Sequence, residues 1–297
     1  MISKTSIGYL LYIFIIALVT SCVNLDHINK FATVSEKILE SQNEFGYSFT
    51  ESCLDFDCKQ EIYFVPAFKD FEKEGICDCS AFKMADKALS LINGVLNAYL
   101  TGLAKLSNGK AVNYNFDNLI KAVDVDQIKN NIPITSNEIS SVSKLATIIS
   151  HDLMDTYRKR KLKIIIKRSD TDFQILITAY KKCMSTYFKN ILLNNDLVFL
   201  TNRYSDYLYK NETRLSPYEK GKIYEEYLTR KSTIERYKDI TDKFVASLDK
   251  IGEGHAELNK ESGHLTDKNI KSIINHYATD VESSTEEFNK LKKSKEK

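Results

Sequence analysis

From Leu25 to Phe45, apolar side chains return at Ile28, Phe31, Val34, Ile38 and Phe45. That three-and-four spacing predicts one helical face, with Asp26 as its cap and Gly46 as its stop. A longer stripe follows at Phe82, Ala85, Leu89, Ile92, Leu96, Tyr99, Leu103 and Leu106, ending at Asn108-Gly109. Phe116, Leu119, Ile120 and Val123 suggest a short helix that ends before Pro133. Thr135 and Glu138 then stand at capping-box spacing ahead of Ile139, Val142, Leu145, Ile149, Leu153 and Tyr157. Asp170 or Thr171 is placed to cap a helix through Phe173, Leu176, Tyr180, Tyr187, Phe188 and Ile191, with a break or kink at Asn194-Asn195 and a further helix over 197–209.

Ser216-Pro217-Tyr218-Glu219 combines a capping serine, proline at the first helical position and the reciprocal glutamate. It predicts a long helix whose stripe runs from Ile223 through Tyr227, Ile234, Tyr237, Phe244 and Leu248 to Ile251, stopped by Gly252 and Gly254. Thr266 or Asp267 opens a last helix over Ile270, Ile274, Tyr277, Val281, Phe288 and Leu291. Residues 49–79 differ in texture, with four cysteines, Pro66 and one strand-like run, Ile62 to Val65. Ten glycines and three prolines in 297 residues leave few tight turns. The expected fold is therefore all-α: an elongated helical bundle with a disulfide-rich loop near its N-terminal end.

The first residues follow a different rule. Lys4 is the only charge before Asp26, and residues 7–19 form an apolar run broken by Gly8 and closed by Thr20-Ser21. This is the layout of a secretory signal, shorter than the roughly 20 apolar residues a membrane span needs. Val19-Thr20-Ser21-Cys22 resembles the lipobox of bacterial lipoproteins: an aliphatic residue, two small residues, then cysteine. The resemblance covers the export segment alone and implies a signal peptide over 1–21, cleavage before Cys22 and a lipid on that cysteine. A single helical domain over 22–297 would then be held on a cell-envelope membrane. Val23, where many lipoproteins of the inner membrane carry aspartate, implies the outer one.

Export changes how the other cysteines read. Outside the cytoplasm thiols oxidise, so Cys53 and Cys58 are each expected to bond to one of Cys77 and Cys79, the last two being too close to pair with each other. The competing reading is a four-thiolate zinc site, but a single residue between Cys77 and Cys79 fits zinc spacing poorly. Cys183 continues a helical apolar face and reads as a buried thiol.

With residues 1–21 removed, one lysine is lost and 41 basic side chains face 40 acidic ones, a balance with no long-range pull toward nucleic acid. Yet seven of the eleven residues from Arg158 to Arg168 are basic: Arg158, Lys159, Arg160, Lys161, Lys163, Lys167 and Arg168. The plainer expectation is a solvated helix face with Leu162 and Ile164 to Ile166 turned inward and acids such as Asp170 and Asp172 countering it. The alternative is a basic amphipathic surface for lipid headgroups. The stretch has no aromatic residue to stack on single-stranded nucleic acid.

No chemistry is legible locally. The five histidines, at 27, 151, 255, 264 and 276, include no helical metal pair, and neither a phosphate-binding glycine loop nor a nucleophile elbow occurs. No catalytic residue, metal or cofactor is assigned. His255, Glu257 and His264 are expected to share a glycine-bearing loop. The leading expectation is a non-catalytic binding or scaffolding bundle with an envelope protein as partner, recognised by an exposed apolar or tyrosine-rich patch. The alternative is an enzyme or small-ligand receptor with a polar pocket between helices, with His151 or His255 in its wall.

Overall fold

The computed structural model describes residues 25–42, 45–58, 78–108, 135–152 and 158–293. Every element among them is helical: α1 (Asp26–Ser41), α2 (Phe49–Ser52) with a π-helical extension (Cys53–Cys58), α3 (Ser80–Ser107), α4 (Ser136–Asp152), α5 (Arg158–Lys182), a π-helical stretch (Cys183–Leu193), α6 (Asn194–Lys210), α7 (Pro217–Lys260) and α8 (Lys268–Lys293). The expected strand at 62–65, the short helix near 116–123, Gly109, Cys22 and Cys77 lie outside the described residues.

The frame is a single long hairpin. α5, the π-helical stretch and α6 run without interruption, Lys182 and Asn194 at the junctions both being right-handed helical. α7, with 44 residues, spans about 65 Å at 1.5 Å per residue. The two arms pair antiparallel through Asp170 with Asn259, Lys181 with Asp249, Lys189 with Asp242, Asn194 with Lys238, and Tyr204 with Glu226. α7 turns into α8, and α1 lies in the cleft between α8 and α3. α1 and α3 are antiparallel, Asn29 donating to the Ala104 carbonyl at one end and Asn93 to the Leu39 carbonyl at the other. α4 covers α5 and α3.

Where stripe and capping chemistry agreed, the elements stand as expected. The Ser216–Glu219 capping box is fully formed, and Thr135 and Glu138 exchange the same reciprocal bonds. Ile28, Phe31 and Ile38 of α1, Leu96 and Leu103 of α3, and Ile274 and Phe288 of α8 are fully buried.

The departures have physical causes. Gly252 and Gly254 do not stop α7, which continues to Lys260. They are sites of close helix approach: a Cβ on Gly254 would lie 2.8 Å from Phe31 Cζ and 3.2 Å from Tyr277 Cβ, and one on Gly252 3.2 Å from Gln174 Oε1. His255 and Glu257 consequently sit in a helix, not a loop. Asp170 and Thr171 start nothing, because α5 already runs from Arg158. Asn194-Asn195 does not break the chain, and Ile191 is exposed while Leu192 and Leu193 are buried. The i→i+5 bonding of the π-helical stretch widens the turn and moves the apolar face off the spacing of an α-helix. At α1, Leu25 rather than Asp26 is the capping position, and Gly46, with φ 67°, turns the chain four residues beyond Gln42.

Candidate functional site

Three polar or exposed features stand out against this frame: a buried hydrogen-bond network, a basic stripe at one pole and a tyrosine-lined arm at the other.

The network joins α3, α5 and α7. His255 is fully buried at the i+4 position from Ile251 on the apolar stripe of α7, and Phe173 stacks on its ring at 4.2 Å. Its Nδ1 lies 2.8 Å from Asp170 Oδ1 and its Nε2 2.7 Å from the Tyr99 hydroxyl. Ser169 Oγ donates to that hydroxyl at 2.6 Å, and the amides of Asn259 and Gln174 donate to Asp170. Burial resists charge on Asp170, but the hydrogen bonds from His255 and the two amides outweigh it and hold the carboxyl below its usual range. Burial lowers the His255 pKa, against the opposing pull of Asp170. The consistent proton assignment is a neutral imidazole that donates from Nδ1 to the carboxylate and accepts at Nε2 from Tyr99.

Asp, His and hydroxyl in this order resemble a proton relay, yet the hydroxyl of Tyr99 is spent on His255 and that of Ser169 on Tyr99. Ser169, Tyr99 and His255 are all buried, so none of them meets a substrate. The arrangement fastens three helices together. It replaces the loop expected around His255; the signal for it was the heptad-like spacing Leu248, Ile251, His255, Leu258. His151's side chain lies outside those described.

The basic stretch falls on α5. Leu162, Ile165 and Ile166 are buried, whereas Ile164, expected to turn inward with them, is not. Arg160, Lys163, Lys167 and Arg168 are exposed along one face, and Ile164 stands among them at 40% exposure. Of the acids expected to counter it, Asp170 faces inward to His255, and Asp172 is buried, accepting from Ser141 at 2.8 Å with Lys144 beside it. The side chains of Arg158 and Lys159 lie outside those described. This stripe runs past the end of α7, with Lys163 Nζ 3.9 Å from where a Gly263 Cβ would be. α1 begins at the same pole, where burial first and the charge of Lys271 second lower the pKa of His27.

The opposite pole is the α6–α7 hairpin. On α7, burial begins only at Ile234, so that among the described residues about 25 Å of helix before it extends past the buried core, paired with α6. Tyr204 and Tyr227 pack across the pair at 5.6 Å, Tyr224 tilts against Tyr227 at 6.1 Å, and Tyr204 donates to Glu226 at 2.7 Å. Outward stand Tyr209 at 80% exposure, Tyr218 at 71% and Tyr224 at 54%, together with Tyr207 and Leu228. At roughly 200 Å² per tyrosine, the four exposed rings present on the order of 500 Å².

The cysteine-rich segment braces the base of this arm. Cys53 is bonded to Cys79, with Cα atoms 5.9 Å apart, which rules out the four-thiolate zinc site. Cys58's side chain lies outside those described, as Cys77 does. Ser52 and Tyr47 donate to the buried Asp196 of α6 at 2.6 and 2.9 Å, and Arg203 reaches the Asp55 carbonyl. Burial, with the Asp196 charge second, drives the Tyr47 pKa upward, so that phenol stays a donor. Cys183 is free and buried, its pKa pushed up to about 11 by desolvation, which fits an inert thiol. Among the described residues no group of histidines, cysteines and acids is arranged to hold a metal, and no helix is long and apolar enough to cross a membrane.

Comparison of the chain with family models, with curated proteins and with solved structures gives no match, so the functional reading rests on the geometry of the two poles.

Proposed function

We propose that this is a lipid-anchored protein of the bacterial cell envelope, without catalytic activity, that holds a tyrosine-lined helical arm away from its membrane for a protein partner. The observation that carries the reading is the polarity of the body. α1 starts beside the α7–α8 turn, and the arm ends at the other extreme of α7, about 65 Å of helix away. Cys22 precedes Leu25 by three residues, at most about 10 Å of extended chain. A lipid there would keep the first pole at the membrane and leave the arm free.

The arm suits a protein surface better than a charged ligand. Some of its charges pair within it, Lys210 with Asp206 and Arg230 with Glu226. Its uncommitted area is aromatic, and tyrosine offers a large amphipathic contact at little entropic cost. The partner is accordingly expected to present an apolar or aromatic face.

The test is site-resolved photocrosslinking of the full chain in cells, with a photoreactive residue at Tyr224 or Tyr209 and, as a control, at Glu253 on the body. One envelope protein captured from both arm positions, absent from the control and lost on Leu228→Glu, is the expected result. Equal capture from arm and body refutes the role of the arm, and adducts of twice the chain's own mass replace the partner with a second copy. The intact mass of the membrane-extracted protein checks the anchor separately.

A further inference from the structure

We propose that the stripe of Arg160, Lys163, Ile164 and Lys167 at the start of α5 docks on the anionic phospholipid headgroups of the membrane that holds the anchor, and so restricts the tilt of the body. The inference rests on the lipid-anchor reading above.

Four observations carry it. The stripe is at the right pole: Asp170 is level with His255 and Asn259, so the ten residues before it extend about 15 Å beyond them, past Lys260 and alongside the turn from which α1 is reached. It has one sign, residues 158–169 containing no acid and the next two acids being committed to His255 and Ser141. No described carboxylate forms an ion pair with Arg160, Lys163 or Lys167, and the nearby Asp267 is engaged with His264 and Glu257 with Lys260.

The last observation concerns local energetics. The first turn of α5 has no acidic residue, and Arg160, the stripe's cation in that turn, stands toward the positive end of the helix dipole, an unfavourable placement in the free protein. A surface of negative charge offsets that conflict, whereas a merely solvated face would keep it. Ile164, exposed between Lys163 and Lys167, is the kind of apolar side chain that enters the headgroup boundary when flanking lysines bring it there. A basic residue near an anionic surface strengthens binding about five-fold, and the attraction decays within a Debye length, so the surface must be the one at hand.

The experiment uses the full chain purified from membranes, its lipidation read by intact mass, and reconstituted into vesicles of phosphatidylcholine alone or mixed with phosphatidylglycerol. Amine acylation is followed at Lys163 and Lys167, with Lys222 on the arm as the internal control. Slower acylation of Lys163 and Lys167 by about five-fold in the anionic vesicles, reversed near 1 M salt and absent at Lys222, is the expected outcome. Equal rates in both vesicles overturn the proposal while leaving the anchor intact.

If the mass shows no acyl chain, the anchor reading fails and the same protein is sedimented with preformed vesicles. Binding to anionic vesicles only, weakened about twenty-fold by Lys163→Gln with Lys167→Gln, then upholds the stripe alone. Absence of binding, or binding indifferent to the double substitution, overturns it. Both lysines are exposed, so the variant retains the fold of the parent.

Discussion

Two glycines of the same helix should respond to alanine with opposite signs. Gly221 is exposed on the arm half of α7 and has no atom within 4 Å of the position its Cβ would take. Gly221→Ala therefore removes only the entropic cost of glycine in a helix and should stabilise by about 0.8–1 kcal/mol. Gly254 carries the same intrinsic gain, but its Cβ would fall 2.8 Å from Phe31 Cζ and in still closer contact with Phe31 Cε2. Phe31 is fully buried on α1 and cannot swing away, so overpacking of about 1–3 kcal/mol, toward the upper end, opposes the gain. The net for Gly254→Ala is a loss of about 1–2 kcal/mol. Urea unfolding of both variants at neutral pH, with the disulfide intact, reads the difference as a shift of midpoint at unchanged slope. If Gly254→Ala matched Gly221→Ala, α1 would not be seated against α7 as described. The rigid connection from the α7–α8 pole to the arm would go with it.

Acid should destabilise the fold beginning at mild pH. Both His255 and His27 have pKa values below the ordinary 6.5, with burial as the leading cause. The unfolded chain then binds more protons than the native one below about pH 6.5, and stability falls as pH drops from there toward the depressed native values. The slope is up to about 1.4 kcal/mol per pH unit for each histidine. Thermal unfolding between pH 7.5 and 5 measures it, and His255→Gln should flatten part of that limb; a parallel limb in the variant would contradict the buried neutral imidazole. Removing the Cys53–Cys79 bond by Cys53→Ser with Cys79→Ser releases a crosslink of 26 residues, worth about 3.5 kcal/mol at most in chain entropy. Hydrogen exchange should quicken over residues 48–55 and at the base of α6, and unchanged exchange there would show that the disulfide does not brace the arm.

Except over residues 49–58, which read as a loop and are helical, the helices were legible because each carries its own apolar period and, at Thr135 and Ser216, its own capping chemistry. Local patterns of this kind need no knowledge of the partner helix. The buried free thiol at Cys183 was legible for the same reason. Glycine misled at 252 and 254 because the residue serves two needs, ending a helix or admitting a neighbour, and only the position of Phe31 and Gln174 decides between them. The π-helical stretch left no mark in the spacing, since Leu192 and Leu193 are as apolar as the exposed Ile191.

What the sequence determined by itself was therefore the class of fold and which residues bear charge. The tertiary structure decided where those residues stand. Asp170, read as a cap or as a counter-charge to its lysine neighbours, is turned toward His255, 85 positions further along the chain. The basic stretch and the start of α1, far apart in sequence, meet at one pole, and the tyrosines of α6 and α7 meet at the other. Proximity between distant segments depends on how apolar faces are shared among all the helices at once, and no local period encodes that.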